Sequence, residues 1–152
     1  TIVKKLLQII QPDKAYFGLK DFQQLSILQT LGRELFFPIE IVPCPIVREQ
    51  DGLAMSSRNR FLNPEERKQS LFLNTAITRM KAAAKPGMKA GEILKIAFDM
   101  LPDYSVIRPD YIEIRRAKDL KLVETIDPAD DPRIFVAAFC GNTRLIDNQA
   151  LL

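Results

Sequence analysis

The chain contains one clear helix start, and it constrains how the neighbouring segments fold. Asn63 suits the cap position, Pro64 suits the first helical position, and Glu66 follows at the third, as in a capping box. The run 39–47 before it is apolar and typical of a strand. A strand, a loop at 51–60 and a helix therefore follow one another, which is the order that α/β proteins repeat.

The loop at 51–60 is rich in groups that bind phosphate. Its serine hydroxyls and backbone N–H groups are hydrogen-bond donors, and Arg58 adds a planar cationic fork. A second turn begins at Gly18, where another apolar run gives way to a helix, and it carries Lys20. The first N–H groups of a helix attract anions, so two such turns after successive strands predict an α/β ligand crevice. Each turn taken alone also fits an ordinary solvated loop.

Composition narrows the possible chemistry. The 152 residues include no histidine, which excludes His-based acid–base catalysis and His-containing zinc sites within this chain. A net charge of +3 is compatible with anionic small molecules but does not predict nucleic-acid binding. No apolar run is long enough to predict a membrane span. Cys44 and Cys140 are expected to be buried, reduced thiols in a cytoplasmic setting.

The spacing of apolar residues predicts the remaining elements. One helical stripe is expected on Ile2, Val3, Leu6, Leu7 and Ile10, and further helical stripes are expected on three segments. Three strands are expected near the end of the chain, at 110–115, 134–139 and 144–148. Arg48 and Glu49 are expected to be surface charges, and Asp21 is expected to cap the helix after the second turn. The stripes consist of Phe22, Leu25, Leu28, Leu31 and Leu35; Leu73, Ala76, Ile77, Met80 and Ala84; and Leu94, Ala97, Phe98 and Leu101.

Four blocks in order resemble the pantothenate synthetase (pantoate–β-alanine ligase) family. They are Gly-Leu-Lys-Asp-Phe-Gln-Gln at 18–24, the strand end at 42–48, Asp-Gly-Leu-Ala-Met-Ser-Ser-Arg-Asn-Arg at 51–60, and Gly-Asn-Thr-Arg-Leu-Ile-Asp-Asn at 141–148. The resemblance covers essentially the whole chain. The family's His-x-Gly-His-type turn has no counterpart here, so we expect a C-terminal fragment that is inactive by itself.

The resemblance also implies a fold. It is an α/β fold in which residues 1–62 are the second half of a Rossmann-like nucleotidyltransferase domain that binds ATP and pantoate. Residues 63–152 would be a small α+β C-terminal lid domain with a short antiparallel sheet.

The activity implied by the resemblance is the ATP-dependent formation of a carbon–nitrogen bond. Pantoate and ATP would give pantoyl adenylate and pyrophosphate, and the amine of β-alanine would then displace AMP to give pantothenate. ATP would be a substrate, and Mg²⁺ would share the charge on the phosphate oxygens. The partners implied are these small molecules, with neither nucleic acid nor membrane, and a homodimer of the full-length protein in the cytoplasm.

The resemblance assigns roles to individual residues. Gln24 would hydrogen-bond pantoate through its amide. The catalytic set, which would disperse charge on the departing pyrophosphate, is Lys20, Ser56, Ser57 and Arg58. The ATP-binding positions would be Gly18, Leu19, Lys20, Asp21, Val47, Met55, Ser56, Ser57 and Arg58, and no metal ligand is assigned.

Some of these positions have simpler interpretations. Lys20 can be a solvated lysine, Asp21 a helix cap rather than a ribose contact, and Val47 a buried valine that closes a strand. Leu19 stands where the family commonly has Glu, although the backbone there could still contact ATP. Two other functions stay open: another adenylate-forming nucleotidyltransferase, such as an aminoacyl-tRNA synthetase with a similar serine-rich loop, and a non-enzymatic module that binds a partner.

Overall fold

A computed structural model describes residues 2–34, 38–104 and 106–152 of the chain. The chain divides into two compact units, Thr1–Pro45 and Ile46–Leu152. Residues 46–62 therefore group with the second unit in this division. The domain boundary expected after residue 62 concerns the domains of the whole protein, and it stays a prediction.

The first unit contains a parallel β–α–β crossover. Helix α1 (Ile2–Ile10) leads to strand β1 (Lys14–Gly18), helix α2 (Phe22–Glu34) and strand β2 (Glu40–Cys44). The two strands pair in parallel, and Gly18 lies opposite Cys44 in the register. Both strands therefore end at the same edge of the pair, and ligands of α/β sheets bind outside such carboxyl ends.

The entry to α2 differs from the prediction for Asp21. A 3₁₀ turn, Leu19–Asp21, precedes the helix, and Gly18 occupies its cap position with extended backbone angles and no side-chain cap bond. Asp21 thus lies inside the first helical turn, and its predicted role as the cap is wrong. A carboxylate in this first turn still interacts favourably with the helix dipole. In α2, Leu25 and Leu28 are buried as expected, while Leu35 lies outside the described residues.

The second unit opens its helical layer with the predicted capping box. Asn63 Oδ1 accepts a hydrogen bond from the Glu66 N–H at 2.8 Å, and Glu66 Oε2 accepts one from the Asn63 N–H at 3.0 Å. These bonds satisfy backbone N–H groups that a helix start otherwise leaves unpaired. The helices are α3 (Pro64–Ser70), α4 (Phe72–Ala83) and α5 (Ala90–Met100).

Three antiparallel strands complete the second unit. They are β3 (Ile107–Arg116), β4 (Pro132–Cys140) and β5 (Thr143–Ala150), in the order β3-β4-β5. The apolar run at 134–139 is therefore the central strand, as predicted. The fold class, α/β with a parallel pair and a short antiparallel sheet, is confirmed. The helices and one face of the sheet share a core that includes Phe72, Leu73, Ala76, Ile77, Met80, Ile93, Ala97, Ile112, Ile114, Ile134 and Val136.

The two cysteines are both free but differ in burial. Cys140 is fully buried and its Sγ donates to the Glu66 carbonyl at 2.9 Å, whereas Cys44 is only partly buried. Burial, with a smaller contribution from the Glu66 carboxylate, raises the pKa of Cys140 to about 11. Cys140 is therefore a neutral thiol at physiological pH, with little nucleophilic character. Within the described ranges, no helix has the length and apolar character needed to cross a membrane.

Helix α5 buries a different stripe from the predicted one. Ala97 is buried, and Leu94 and Leu101 are partly buried against the core, but Phe98 is 48% exposed. The buried stripe is Ala90, Ile93, Ala97 and Met100, at spacings of three and four. Two apolar stripes overlap in this sequence, and the one with small alanines lies against the core.

This difference can be tested by truncating one residue from each stripe. Ile93→Ala should lower the free energy of unfolding by about 2–5 kcal/mol, because Ile93 is fully buried and its removal leaves a cavity. Phe98→Ala should cost no more than about 1 kcal/mol, because its ring is half exposed. Urea unfolding of the two variants measures both values, and the reverse order would support the sequence-based stripe.

Candidate functional site

In the first unit, the predicted site residues collect at the carboxyl end of β1. Gly18, Asp21 and Gln24 are exposed, and Leu19 and Lys20 are partly buried. A Cβ at Gly18 would meet no atom within 4 Å, so the backbone at this turn faces open space. The turn can therefore present backbone N–H groups and the Lys20 ammonium to an anion.

In the second unit, the remaining predicted residues lie on one structured segment, residues 47–61, which we call the serine loop. Its first part is a tight hairpin. The Met55 N–H donates to the Val47 carbonyl at 2.9 Å, and the backbones of Arg48 and Ala54 form an antiparallel β-bridge. Gly52 lies at the turn with a φ of 93°, a conformation that glycine adopts without strain. Its second part is a 3₁₀ turn, Ser57–Phe61.

The serine loop exposes apolar and polar groups side by side. Val47 is 61% exposed and Met55 is 56% exposed, so the interpretation of Val47 as a buried strand closure is wrong. Ser56 caps the 3₁₀ turn, since its Oγ accepts from the Arg58 N–H at 3.2 Å. Ser57 and Arg58 are exposed, and Arg58 Nη1 makes a long 3.4 Å bond to the Arg144 carbonyl. Two hydroxyls and a guanidinium thus lie beside an exposed apolar pair.

A partly buried ion pair holds the hairpin from one side. Arg48 donates from Nη1 to Asp147 Oδ2 at 2.7 Å and from Nη2 to Asp147 Oδ1 at 3.0 Å. Its Nη1 also donates to the Gly52 carbonyl at 3.0 Å, across the hairpin turn. The Asp147 side chain is only 1% exposed and that of Arg48 is 26% exposed. The prediction that Arg48 is a surface charge is therefore wrong, because its charge pairs with a buried carboxylate of β5.

A second cluster holds the loop from the side of α3. Arg67 pairs with Glu49 at 2.7 Å and with Asp51 at 2.7 Å. Asn59 is buried, and its Nδ2 donates to Glu49 Oε1 and to the Ala54 carbonyl. Asn59 therefore ties the 3₁₀ turn to the hairpin. Glu49 lies at the surface as predicted, but it is not a solitary charge, since its carboxylate joins the hairpin to the 3₁₀ turn and to α3.

These contacts shift the pKa of each charged member of the cluster. The hydrogen bond from Arg67, followed by that from Asn59, lowers the pKa of Glu49 below its ordinary value of 4.5. Burial raises the pKa of Asp51, but hydrogen bonds from Arg67 and the Leu53 N–H outweigh it and leave a net lowering. The Glu49 bond is also the largest of the causes that raise the pKa of Arg67. The cluster is therefore fully ionised at neutral pH.

The structure brings Val47, Met55, Ser56, Ser57 and Arg58 together on the serine loop. It places the other five predicted site residues in the first unit, and the convergence of Lys20 with Arg58 stays a prediction. Among the described residues, no group of three or more His, Cys, Asp or Glu side chains could hold a metal ion.

Sequence patterns did not reveal the residues that support the loop, namely Arg48, Glu49, Asn59, Arg67 and Asp147. No local signal distinguished them: Asp147 opens the polar stretch Asp-Asn-Gln at 147–149, and the other four are residue types common in loops and on helix surfaces.

The first unit is a parallel β–α–β crossover with an open glycine turn, and the second joins the serine loop to a helix-covered antiparallel sheet. Together with the structures that it matches, this architecture places the chain among α/β proteins of the nucleotidyltransferase fold. A family model described as pantoate–β-alanine ligase matches residues 1–150. The chain belongs to the pantoate–β-alanine ligase family.

Individual relatives agree with this assignment. The chain is 42% identical over 151 residues to a pantothenate synthetase of Myxococcus xanthus, which covers 99% of this chain and 52% of that protein. It is 46% identical over 148 residues to the pantothenate synthetase of Shewanella woodyi, covering 97% of this chain and 52% of that protein. The chain therefore spans about half the length of the curated relatives it matches.

Solved structures show the same similarity in three dimensions. The pantothenate synthetase of Thermus thermophilus superposes with a TM-score of 0.92 at 38% identity, over 99% of this chain and 54% of that one. The pantoate–β-alanine ligase of Francisella tularensis, described as complexed with β-γ ATP and β-alanine, gives a TM-score of 0.69 at 26% identity. This second match covers 99% of this chain and 48% of that one.

The cluster around Arg67 predicts a specific pH dependence of stability. Because the folded-state pKa values of Glu49 and Asp51 are lowered, their contribution is present above their ordinary values of 4.5 and 3.8. It is lost as the pH falls through the lowered folded-state values. Arg67→Met should therefore destabilise the protein at about pH 6, and its stability should fall less than that of the wild type between about pH 6 and about pH 3.5.

Urea midpoints at the two pH values measure this difference. Arg79→Met, an exposed arginine on α4, is the matched control and should keep the wild-type acid dependence. If the urea midpoint falls equally with pH in the wild type and in Arg67→Met, Arg67 does not lower the pKa values of Glu49 and Asp51.

Proposed function

We propose that a protein carrying this chain joins pantoate to β-alanine at the expense of ATP. In the first step, a pantoate carboxylate oxygen attacks the α-phosphate of ATP, which gives pantoyl adenylate and releases pyrophosphate. In the second step, the amine of β-alanine attacks the acyl carbon and AMP leaves, which forms the amide bond of pantothenate. Membership of the family supports this proposal, as does the name of the Francisella complex.

The observation that carries the proposal is the exposed face of the serine loop. Adenylation requires the stabilisation of negative charge that develops on the leaving pyrophosphate. Ser56, Ser57 and Arg58 supply two hydroxyls and a planar cationic guanidinium in one short segment. Val47 and Met55 expose apolar surface beside them, which suits the flat base of a nucleotide. We assign ATP binding to these residues.

The turn after β1 supplies the complementary part of the proposed site. Its exposed backbone at Gly18, with the N–H groups that follow and the Lys20 ammonium, suits the phosphate chain of ATP, and Leu19 is assigned to ATP through its backbone. Asp21 does not occupy the helix cap position, so its carboxylate can accept a hydrogen bond from a ribose hydroxyl. Gln24 lies on the exposed side of α2 and is assigned to pantoate.

The remaining features of the proposal follow the family. Mg²⁺ would enter with the nucleotide and be held mainly by phosphate oxygens, since Glu49 and Asp51 are engaged by Arg67. When bound, it would neutralise charge on the triphosphate. We also propose a homodimer in the cytoplasm for the full-length protein.

Residues 1–152 alone are proposed to be inactive, because the histidine-containing turn of the family has no counterpart among them. Pantothenate formation by this chain and by a full-length protein that carries it tests both proposals. Synthesis by the full-length protein alone is the expected result. Synthesis by the chain alone would contradict its inactivity, and tRNA-dependent AMP formation by the full-length protein would indicate a different adenylating enzyme.

Arg58→Ala and Lys20→Ala should slow adenylation in the full-length protein. Each removes a cation that contacts the leaving pyrophosphate in the proposal, so each should raise the barrier by about 3 kcal/mol, or roughly 10²- to 10³-fold in rate. Pantoate-dependent exchange between ATP and pyrophosphate measures this step. Arg79→Ala and Lys5→Ala, both exposed cations on helices, are the matched controls. Wild-type exchange rates in both Arg58→Ala and Lys20→Ala would contradict the proposal that these two cations contact the phosphates.

Gln24→Ala should weaken the binding of pantoate much more than the binding of ATP. A lost hydrogen bond to a substrate costs about 1–3 kcal/mol, which is roughly a ten- to hundred-fold increase in the KM for pantoate. Gln29→Ala, further along the same helix, is the control and should leave both KM values unchanged. Equal increases in the two KM values for Gln24→Ala would contradict the assignment.

A further inference from the structure

The closing segment 141–148 has no role in the proposed reaction, yet it meets the serine loop at two points. Asp147 binds Arg48 at the start of the hairpin. The carbonyl of Arg144, on the same strand, accepts a hydrogen bond from Arg58. Both contacts lie within the second unit and join residues far apart along the chain. The last strand therefore supports a loop that the reaction would use.

The Arg48–Asp147 contact is the stronger of the two. It is a two-pronged pair with a nearly inaccessible carboxylate, whereas the Arg58 bond is exposed and long at 3.4 Å. A carboxylate this deeply buried requires a partner, and the planar guanidinium matches both of its oxygens. Asp147 Oδ1 also accepts from the Asn148 N–H at 2.8 Å, which limits its movement on the strand.

Arg48 transmits this anchoring into the hairpin. Its backbone forms a β-bridge with Ala54, and its guanidinium donates to the Gly52 carbonyl, so Arg48 ties the strand before the turn to the residues after it. Ser56 follows directly after the hairpin. Its Oγ bond to the Arg58 N–H is local, so it sets the shape of the 3₁₀ turn but not its place on the molecule. That place depends on where the hairpin is held.

We infer that Asp147 is a positioning residue for ATP: through Arg48 it holds Ser56, Ser57 and Arg58 in place before the nucleotide binds. This inference rests on the proposed function of the serine loop. The cluster of Arg67 with Glu49 and Asp51 anchors the same loop to α3 independently. Removing the Asp147 carboxylate therefore releases one anchor and leaves the Arg67 cluster in place, so the loop shifts while the core around α4 and β4 is kept.

The test uses Asp147→Asn and Arg48→Lys in the full-length protein. Asparagine removes the negative charge, and lysine keeps the positive charge of Arg48 but loses the fork that spans both carboxylate oxygens. Both variants should lower the kcat/KM for ATP in pantoate-dependent pyrophosphate exchange by about ten- to hundred-fold, as small displacements of positioning groups do. Transfer from pre-formed pantoyl adenylate to β-alanine should slow much less than adenylation, because no pyrophosphate leaves in that step, whereas a general loss of folding would slow both steps alike.

Asp119→Asn is the matched control. Asp119 also pairs with an arginine through two bonds, from Arg116 Nε at 3.1 Å and from Arg116 Nη2 at 2.7 Å. This pair lies in the turn after β3 and touches no residue of the serine loop among the contacts described. The control variant should keep wild-type kinetics in both half-reactions.

Amide hydrogen exchange gives a second readout that does not depend on activity. The N–H groups of Gly52, Leu53 and Met55 donate hydrogen bonds within the hairpin, and they should exchange faster in Asp147→Asn while α4 keeps its protection. If Asp147→Asn fails to fold, the same comparison of hairpin and α4 exchange is made in Arg48→Lys.

The possible outcomes separate the inference from the proposed function. Unchanged adenylation and unchanged hairpin exchange, in a wild-type protein that makes pantothenate, would overturn the role of Asp147 alone. A wild-type protein that makes no pantothenate would overturn the proposed function. In that case, unchanged amide exchange of the hairpin in Asp147→Asn would also refute the anchoring by Asp147. Faster exchange would support the anchoring, with the ligand of the loop then being a different one.

Discussion

The serine loop depends on the pairing of its own charged residues with the rest of the second unit. Three charged side chains flank the hairpin turn, and each is bound to a partner outside the loop: Arg48 to Asp147, and Glu49 and Asp51 to Arg67. The two carboxylates would repel a polyphosphate if they were unpaired. Arg67 binds both carboxylates and offsets one of their two negative charges, and Arg58, which directly follows Ser56 and Ser57 in the sequence, adds an exposed cation that suits an anionic ligand.

The supports of the loop also explain why the antiparallel sheet belongs to the same compact unit. Strand β5 supplies Asp147, and α3, which begins at the Asn63 capping box, supplies Arg67. Both elements are in turn fixed by packing: β5 pairs with the central strand β4, and β4 lies in the core with α4. A loop built on such rigid elements is pre-organised, so a ligand need not supply the free energy to order it.

Local rules of sequence predicted much of this fold. The Asn63–Glu66 capping box, the parallel strands around a helix and the central strand at 134–139 all follow from capping chemistry and apolar periodicity. Local rules failed where two patterns overlap, as on α5, where Ile93 rather than Phe98 is buried. They also failed for Arg48 and Asp147, because an ion pair between residues so distant in the sequence leaves no local trace.

The site was predicted less completely than the fold. Ser56, Ser57 and Arg58 were found because their chemistry suits a phosphate and their block resembles a known family. The residues behind them were missed, since Arg67 and Glu49 look like ordinary helix and loop charges until the folded chain brings them together. The sequence therefore indicated which groups could contact a ligand. For the groups on the serine loop, the structure showed which residues hold them in place.

We propose that the turn after β1 and the serine loop bind one triphosphate in the full-length protein. A crystal structure of that protein with a non-hydrolysable ATP analogue and pantoate tests it most directly. We expect Lys20 Nζ and the Arg58 guanidinium within hydrogen-bond distance of the same phosphate chain, with Ser56 and Ser57 donating to it. An analogue bound in full without contact to either cation would contradict the account.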